Sequence, residues 1–244
     1  MDAARVFIGF DQREAITYHV CCQSIIENST IPVEFHPLAG NHFHNFDGQK
    51  DGTNAFTVSR YLVPLLCEFK GKAIFIDGDM VFDADIAELW AVADRNSYRA
   101  VSVVKHDYKT RSERKYVGSK LESKNIDYPR KNWSSVMVWD CGHFSNRVLT
   151  EDFVRETEPS YLHRLQWLKD DDIGSLFPTW NYLVGEEAPS SARNYHYTLG
   201  VPGIAHYADD HASWHWHQKL LKTLECAGED PVDVVTRAAK RIGQ

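Results

Sequence analysis

Short apolar runs alternate along the chain with longer segments in which apolar residues recur at helical spacing. The apolar runs predict strands at residues 5–10, 33–35, 73–76, 100–104 and 136–139. Helices are predicted between them, at residues 11–27, at residues 56–67 and from a start after residue 83. Because strands alternate with helices, we expect an α/β fold with a mostly parallel central sheet and helices on both faces.

The pattern makes specific predictions for two helices and one loop. In the first helix, Ile16, Val20 and Ile25 fall near one face, which predicts that they point into the core. In the later helix, Asp85 followed three residues on by Glu88 is the pattern of a capping box. Residues 40–54 are rich in glycine, asparagine and histidine without periodicity, and we expect a loop there.

The size of the chain suits one catalytic-sized domain. With 244 residues and 43% hydrophobic content, residues 1–244 can bury one sizeable core, with residues 205–244 as a helical C-terminal extension. Residues 1–10 are typical of a first strand and not of a signal peptide, and no window is apolar enough to span a membrane. The five cysteines lack metal-ligand spacing, so we predict a cytoplasmic protein with reduced thiols.

The overall charge argues against one class of partner. A formal net charge of -7 and a pI near 5.9 are unlike those of a general nucleic-acid binder, which presents a basic surface. Residues 105–131 run against this trend, with nine basic residues and four acidic ones. This segment is either a solvated loop or a surface that attracts phosphate or an acidic acceptor.

Two carboxylates follow the apolar run at residues 73–76. Asp77 lies at the predicted carboxyl end of that strand, and Asp79 faces the same way because alternate residues of an extended chain do so. Gly78 gives the backbone between them its freedom. A divalent cation would resolve the repulsion of the pair, but Asp-Gly between apolar runs also predicts a hairpin turn. This segment alone leaves both interpretations open.

Four further segments carry polar groups with possible chemistry. Arg60 offers a planar fork of donors for a diphosphate, although most helix arginines are only solvated. The small polar side chains before the strand at 136–139 can bind sugar hydroxyls or satisfy the local backbone. The third segment is an acidic triplet, and the fourth contains two histidines that are candidate metal ligands. The residues of the last three segments are Asn132, Ser134 and Ser135; Asp170, Asp171 and Asp172; and His196 and His206.

Taken in order, these segments resemble the GT-A type of nucleotide-sugar glycosyltransferase, which has a Rossmann-like single domain. The resemblance is greatest to the retaining family that includes glycogenin and the bacterial lipopolysaccharide galactosyltransferases, and it runs from FIGFD to HYTLG. It implies that Asp77 and Asp79 form a D-x-D motif and that His196, in HYTLG, completes a site for Mn²⁺ or Mg²⁺. It also implies transfer from a UDP-sugar with retention of configuration, to a saccharide, lipid or protein acceptor.

The resemblance assigns further residues to the donor site. The segment WSSVM resembles the family's N-[SA]-G-V segment, with Ser135 in place of the glycine. Gly78 and Gly200 lie within the two segments that the resemblance assigns to metal binding. The acidic triplet resembles the family's D-Q-D segment, which implies that Asp171 or Asp172 faces the anomeric carbon as a catalytic carboxylate. The diphosphate-binding lysine that often accompanies the histidine is missing from GVPG, so we expect Arg60 to replace it.

The base of the nucleotide and two rival functions complete the expectations. Phe10 and Asp11, at the end of the first strand, are candidate uridine contacts, although a helix N-cap explains Asp11 equally well. A sugar-phosphate nucleotidyltransferase shares this organisation but opens with a glycine-rich loop, where FIGFDQREA offers only Gly9. A non-catalytic carbohydrate- or nucleotide-sugar-binding protein is the other alternative, and the D-x-D and histidine set argues against it.

Overall fold

The structure of the protein is a computed structural model that describes residues 3–39, 54, 56–95 and 98–226. The strands are β1 (Ala4–Gly9), β2 (Val33–Leu38), β3 (Lys72–Ile76), β4 (Met80–Phe82), β5 (Val101–Val103), β6 (Arg114–Lys115), β7 (Ser123–Lys124), β8 (Val136–Asp140), β9 (Ile173–Ser175), β10 (Tyr182–Leu183) and β11 (Asn194–His196). The α-helices are α1 (Ala15–Asn28), α2 (Val63–Leu66), α3 (Ile86–Arg95), α4 (Glu151–Glu156), α5 (Pro159–His163) and α6 (Ser213–Cys226). The α/β prediction is therefore confirmed.

The main sheet has six strands in the order β2-β1-β3-β8-β5-β9. The pairs β1–β2, β1–β3 and β5–β9 are parallel, whereas β8 runs antiparallel to both neighbours. Ile76 at the end of β3 is therefore opposite Val136 at the start of β8. As a result, the residues that precede β8 lie beside the residues that follow β1 and β3.

The chain leaves the main sheet immediately after β3. β4 joins a second sheet, in the order β10-β11-β4, and it pairs with β11 and not with β3. The hairpin interpretation of Asp77-Gly78-Asp79 is thus excluded, because the strands on either side belong to different sheets. Gly78 is needed for this crossing, since a Cβ there would lie 2.4 Å from the Gly9 carbonyl oxygen of β1.

Apolar side chains cover the main sheet on both faces. On one face Phe75 and Trp139 pack with Val63 of α2 and Leu162 of α5. The other face buries Ile74 and Val138 with residues of α1 and α3, including Ile25 and Leu89. The unbroken apolar runs at β3 and β8 are explained by this two-sided burial.

Two predicted helices differ from the observed ones. Residues 12–14 form a 3₁₀ turn before α1, and Ile16 is 40% exposed, so its inward position was wrong, whereas Val20 and Ile25 are buried. The helix predicted at 56–67 is a 3₁₀ helix, Ser59–Leu62, followed by the short α2. Pro64 lies in the first turn of α2, because a proline inside a longer helix would remove a hydrogen bond.

The predicted cap of α3 is half observed. The Asp85 carboxylate accepts a hydrogen bond from the Ala87 backbone N–H at 2.9 Å, which satisfies one of the free donors at the helix start. Glu88 does not return a bond to Asp85 and instead forms an ion pair with Arg193. The N-terminus of α3 was therefore located correctly, but the second half of the capping box was wrong.

Residues 105–131, called the basic arm below, are folded against the rest of the protein. β6 and β7 form an antiparallel pair within it. Glu186, only 3% exposed, accepts hydrogen bonds from the Arg111 backbone N–H at 2.8 Å and the Asn125 amide at 3.0 Å. Lys131 donates to the Asn125 side chain at 2.6 Å. The basic arm is an ordered part of the fold and not simply a solvated loop.

The remaining expectations concern the chain ends and the membrane. α6 packs on α1, which accounts for the described part of the helical extension, while residues 227–244 lie outside the described residues. The predicted loop at 40–54 also lies outside them, apart from Asn54. Within the described ranges, every helix is too short or too polar to cross a membrane. The cytoplasmic location stays a prediction.

Candidate active site

A cavity of about 420 Å³ opens where the carboxyl ends of β1 and β3 meet the amino end of β8. The basic arm forms its outer wall. Ligands of α/β sheets commonly bind at this edge. The lining residues are Asn54, Phe56, Thr57, Arg60, Asp77, Asp79, Lys115, Tyr116, Leu121, Ser123, Lys124, Ile126, Tyr128, Asn132, Ser134, Ser135, His163, His196 and Thr198.

A larger groove of about 930 Å³ lies at the opposite end of the strands, near Lys72 and Asp140. Its lysine is already engaged, because Lys72 pairs with Asp94 at 2.7 Å and lies over the Trp90 ring at 4.5 Å. The smaller cavity encloses less volume, but its lining contains Asp77, Asp79 and His196, which could together bind a metal ion.

Asp77, Asp79 and His196 meet on the floor of the smaller cavity. Each offers one ligand atom, and these atoms lie within 4.8 Å of one another. The His196 Nε2 atom is 3.4 Å from an Asp79 oxygen and 3.8 Å from an Asp77 oxygen. All three residues are at most 8% exposed. The structure thus brings together the set that the D-x-D resemblance implied.

Backbone pairing holds the three side chains in place. The Asp77 N–H donates to the Ser135 carbonyl at 3.0 Å, which ties the end of β3 to the start of β8. His196 lies opposite Met80 in the β11–β4 pair, and the Tyr197 N–H donates to the Asp79 carbonyl at 3.0 Å. The D-x-D segment is therefore fixed between the two sheets.

The donor set fits a divalent cation. Among the described residues, no hydrogen-bond donor satisfies Asp79 Oδ1, although that atom is buried. His196 Nδ1 lies 2.8 Å from the Asn181 amide oxygen, so a proton on Nδ1 leaves the Nε2 lone pair directed at the carboxylates. Two carboxylates and one imidazole suit Mn²⁺ well. His206, by contrast, is exposed and packs against Tyr207 outside this group.

The two carboxyl groups have different electrostatic surroundings. Burial raises the pKa of Asp77, and the neighbouring Asp79 adds to this shift while the Arg60 guanidinium opposes it. Burial also acts on Asp79, but the His196 ring, when its Nε2 carries a proton, and the Tyr116 hydroxyl, 3.1 Å away, hold its pKa below its usual range. A cation that enters the group would relieve the repulsion between these two buried carboxylates.

Arg60 forms an ion pair with Asp77. Its Nη1 lies 2.8 Å from Asp77 Oδ1 and donates to the Ser134 carbonyl at 2.9 Å. The guanidinium stacks between Phe56 and Phe75, with its carbon 5.2 Å and 5.0 Å from their ring centroids. Arg60 also lines the cavity, so its contact with a diphosphate stays a prediction, although the side chain is engaged in orienting Asp77.

The polar residues before β8 all line the cavity. Asn132 has a left-handed backbone (φ 61°), and its amide donates to Tyr108 at 2.8 Å. Ser134 places its hydroxyl 3.1 Å from His163 Nδ1, and Ser135 offers the carbonyl that accepts the Asp77 N–H. Contact between these residues and a sugar stays a prediction, but their place at the cavity is observed.

Phe10 and Asp11 do not line the cavity in the described structure. Phe10 packs edge-on against Tyr18, with ring centroids 5.6 Å apart. Asp11 is buried, accepts from the Arg13 N–H at 2.9 Å and pairs with the Arg13 guanidinium at 2.6 Å. The N-cap explanation of Asp11 is therefore observed, and a base contact stays a prediction.

The two glycines of the predicted donor site, Gly78 and Gly200, are also not among the residues that line the cavity in the described structure. Gly78 permits the close approach to β1 described above. Gly200 has φ +150°, and a Cβ there would lie 2.3 Å from the Tyr207 ring. Both positions require glycine for packing, and a contact between either glycine and the donor stays a prediction.

Asp171 and Asp172 lie at the other end of the sheet. They precede β9, and the Asp172 carbonyl accepts from the Ala100 N–H before β5, whereas Asp77 follows β3. The sheet register puts Asp172 level with Lys72, and the five steps from Lys72 to Asp77 span roughly 16 Å at about 3.3 Å per residue. Neither aspartate lines the cavity, and Asp171 is exposed. The structure thus does not bring these two residues to the cavity, and a role for one of them at the anomeric carbon stays a prediction.

The structure adds residues to the site that sequence reasoning missed. Lys115 and Lys124 come from the β6–β7 pair of the basic arm, and Tyr116 follows β6 directly. Tyr128 comes from the last part of the arm, and His163 from the end of α5. The excess of positive charge in residues 105–131 was the available signal for the two lysines. Nothing in the sequence marked His163, because an isolated histidine in a short helix has no distinctive pattern.

Comparisons with known proteins were made for both sequence and structure. No protein-family model matches the chain. Protein CDI of Arabidopsis thaliana is 37% identical over 217 residues, which cover 84% of this chain and 81% of that protein. This likeness therefore extends over most of both sequences.

Two solved glycosyltransferase structures share the fold. The glycosyltransferase GlyE of Streptococcus pneumoniae TIGR4 has a TM-score of 0.58 and 12% identity, covering 91% of this chain and 61% of the GlyE chain. Mouse xyloside xylosyltransferase 1 has a TM-score of 0.50 and 12% identity, covering 83% of this chain and 100% of that one. The chain thus spans about three fifths of GlyE, and the predicted GT-A glycosyltransferase fold is confirmed.

Proposed function

The chain belongs to the same family as Protein CDI of Arabidopsis thaliana, and we propose that it is a metal-dependent, nucleotide-sugar-dependent glycosyltransferase. A UDP-sugar is the favoured donor, and the acceptor is a saccharide, a lipid or a protein. The observation that carries this proposal is the buried group of Asp77, Asp79 and His196 at the strand edge of a glycosyltransferase fold.

These three residues would hold Mn²⁺ or Mg²⁺ together with the donor's diphosphate. When bound, the cation takes up negative charge that develops on the leaving diphosphate. Arg60 keeps Asp77 oriented through the 2.8 Å contact, and Asn181 keeps His196 oriented through its Nδ1. The protein's part is to place its ligand atoms before the donor arrives.

In addition to the bound cation, Lys115 would supply a positive charge to the cavity. Its ammonium forms no ion pair within 4.0 Å among the residues that the structure describes. Burial lowers the pKa of Lys115, while Asp79 and Asp77 counteract this shift. We assign Lys115 the role of neutralising the leaving diphosphate, which the sequence had led us to expect of Arg60.

Retention of anomeric configuration is part of the proposal through the family resemblance. The carboxylates among the described lining residues are those of Asp77 and Asp79. The proposal therefore gives Asp171 and Asp172 no contact with the sugar. In this proposal, the protein groups near the anomeric carbon are those at the carboxyl end of β3.

The direct test measures nucleotide release from a panel of nucleotide-sugars, with Mn²⁺ and with a chelator. We expect release that needs the metal, that is greatest for a UDP-sugar, and that falls by at least about 100-fold in Asp79→Asn, which removes a ligand. Asp171→Asn is the matched control and should retain turnover. NMR of the product reports its anomeric configuration.

Three results would contradict the proposal. A nucleotidyltransferase would release pyrophosphate from a nucleoside triphosphate and a sugar phosphate. A binding protein would bind the donor without releasing nucleotide under any metal condition. Equal activity of wild type and Asp79→Asn would remove the proposed metal group from the reaction.

A further inference from the structure

His163 is a cavity-lining histidine that the proposed function leaves without a role. It ends α5, and its Nδ1 atom lies 2.8 Å from the Tyr61 hydroxyl and 3.1 Å from the Ser134 hydroxyl. Tyr61 is completely buried. The ring is therefore held on one side by two hydroxyl groups, while its Nε2 has no partner among the described residues.

His163, Tyr61 and Ser134 form a triad, and the number of protons that they share favours one tautomer of His163. If Nδ1 is an acceptor, the Tyr61 hydroxyl can donate to Nδ1 and the Ser134 hydroxyl to the Tyr61 oxygen, so both hydroxyl protons find an acceptor inside the group. If Nδ1 carries the proton, it can donate to the Ser134 hydroxyl and Ser134 to the Tyr61 oxygen, but the buried Tyr61 proton is then left without an acceptor inside the group. The complete arrangement therefore has the ring proton on Nε2, outside the triad.

The imidazole stays neutral in this environment. Burial lowers the pKa of His163 to about 3, and the nearby positive charges of Arg60 and Lys115 act in the same direction. A neutral N–H donor suits a hydroxyl oxygen, whereas a phosphate is better matched by a cation such as Lys115. The chemical class of ligand that fits His163 is thus an uncharged, hydroxyl-bearing group.

The neighbours of His163 place such a group beside the metal-binding residues. Ser134 links the two, because its hydroxyl contacts His163 and its carbonyl accepts from Arg60, which in turn contacts Asp77. The Tyr128 ring, with its centroid 6.1 Å from that of His163, lines the same part of the cavity. A sugar attached to a diphosphate at Asp77 and Asp79 would extend into this space.

We propose that His163 is a specificity-determining residue whose Nε2–H donates a hydrogen bond to one hydroxyl of the transferred sugar. Tyr61 is the positioning residue, because its buried hydroxyl fixes the tautomer that makes this donation possible. The inference rests on the proposed function, and it adds the group that distinguishes one sugar from another.

The first test is independent of activity. ¹⁵N NMR of the metal-free protein should show His163 as the neutral Nε2–H tautomer throughout pH 5–9. Tyr61→Phe should introduce the Nδ1–H form, because the hydroxyl that donates to Nδ1 is gone. If His163 of the wild type is instead the Nδ1–H tautomer, or an imidazolium in that pH range, the inference is overturned.

The second test uses the sugar that the donor panel identifies and its monodeoxy analogues. In wild type, one deoxy position should lower kcat/KM for donor hydrolysis by roughly 10–100-fold, the usual effect of a lost buried hydrogen bond. In His163→Phe this discrimination should fall to about onefold at that position alone. His163→Gln, which keeps a donor, should restore part of it, and UDP affinity should be unchanged in both variants.

The outcomes separate this inference from the proposed function. Wild-type discrimination retained in His163→Phe at every position would overturn the inference and leave the glycosyltransferase proposal intact. Discrimination lost only among acceptor hydroxyls would overturn the assignment to the donor sugar. Absence of turnover with every nucleotide-sugar would overturn both, even with the NMR result as expected. A loss of UDP affinity in His163→Phe would show a structural role and also overturn the inference.

Discussion

Two groups of aspartates beside apolar strands end up in opposite environments. Asp77 and Asp79 are 8% and 5% exposed and share the cavity floor with His196. Asp170, whose side chain is 83% exposed, pairs with Arg130 at the surface, and Asp171 beside it is also exposed. Both segments have closely spaced aspartates in the sequence, so the spacing of carboxylates alone does not identify a functional site.

The difference depends on whether the acidic residues precede or follow their neighbouring strand in the sequence. Asp77 follows β3, whereas the triplet precedes β9, and the pairings through β8 and β5 make β3 and β9 point the same way. Acids after one strand and acids before the other must therefore lie at opposite ends of the sheet. Water solvates the triplet, while the buried pair depends on Arg60, His196 and a cation.

The largest expected effect compares the arginine partners of the two groups. Arg60→Ala leaves the Asp77 carboxylate buried without its 2.8 Å partner, and the free energy of unfolding of the metal-free protein should fall by about 3–5 kcal/mol. Asp170→Ala, at the exposed pair, should cost only about 0.2–1 kcal/mol. Urea unfolding of the two variants measures both values, and similar losses would contradict the contrast.

A smaller effect is expected from the residue that orients His196. Asn181→Leu removes the acceptor 2.8 Å from His196 Nδ1, and Mn²⁺ affinity should fall by about 10–100-fold in calorimetric titrations. The matched control is Asn146→Leu, because Asn146 is also fully buried but donates to the Ala100 and Asp140 carbonyls at the far end of the sheet. Equal losses of affinity in both variants would show a general effect of destabilisation.

The smallest effect concerns the acidic triplet itself. Asp171→Asn and Asp172→Asn should each leave kcat, KM and Mn²⁺ affinity within about twofold of wild type, since neither residue lines the cavity. Their free energies of unfolding should change by less than about 1 kcal/mol. Steady-state kinetics on both variants provide the measurement. A selective fall in kcat would return the triplet to the mechanism.

Much of the fold could be predicted from the sequence. The apolar runs at β1, β3 and β8 are continuous because both faces of these strands are covered, and that signal is strong in any single sequence. The position of Asp77 at a strand end followed from the same run. The approach of Asp79 and His196 to it was implied by the family resemblance.

Other parts of the site depend on contacts that no local pattern encodes. The antiparallel direction of β8, which brings Ser134 and Ser135 to Asp77, is a property of the whole sheet. Lys115 reaches the cavity because Glu186, which is distant in sequence, anchors the basic arm by accepting hydrogen bonds from Arg111 and Asn125. The position of the triplet follows from the order of acid and strand, because acids that precede a strand parallel to β3 lie at the opposite end of the sheet from Asp77.

The central claim is that the buried aspartates, and not the exposed ones, form a cation site with His196. Electron paramagnetic resonance of Mn²⁺ titrated into the protein with UDP measures bound and free metal directly. The account predicts one bound Mn²⁺ in wild type and in Asp171→Asn, and at least about 100-fold weaker binding in Asp79→Asn. Mn²⁺ binding that is unchanged in Asp79→Asn but weakened in Asp171→Asn would contradict it.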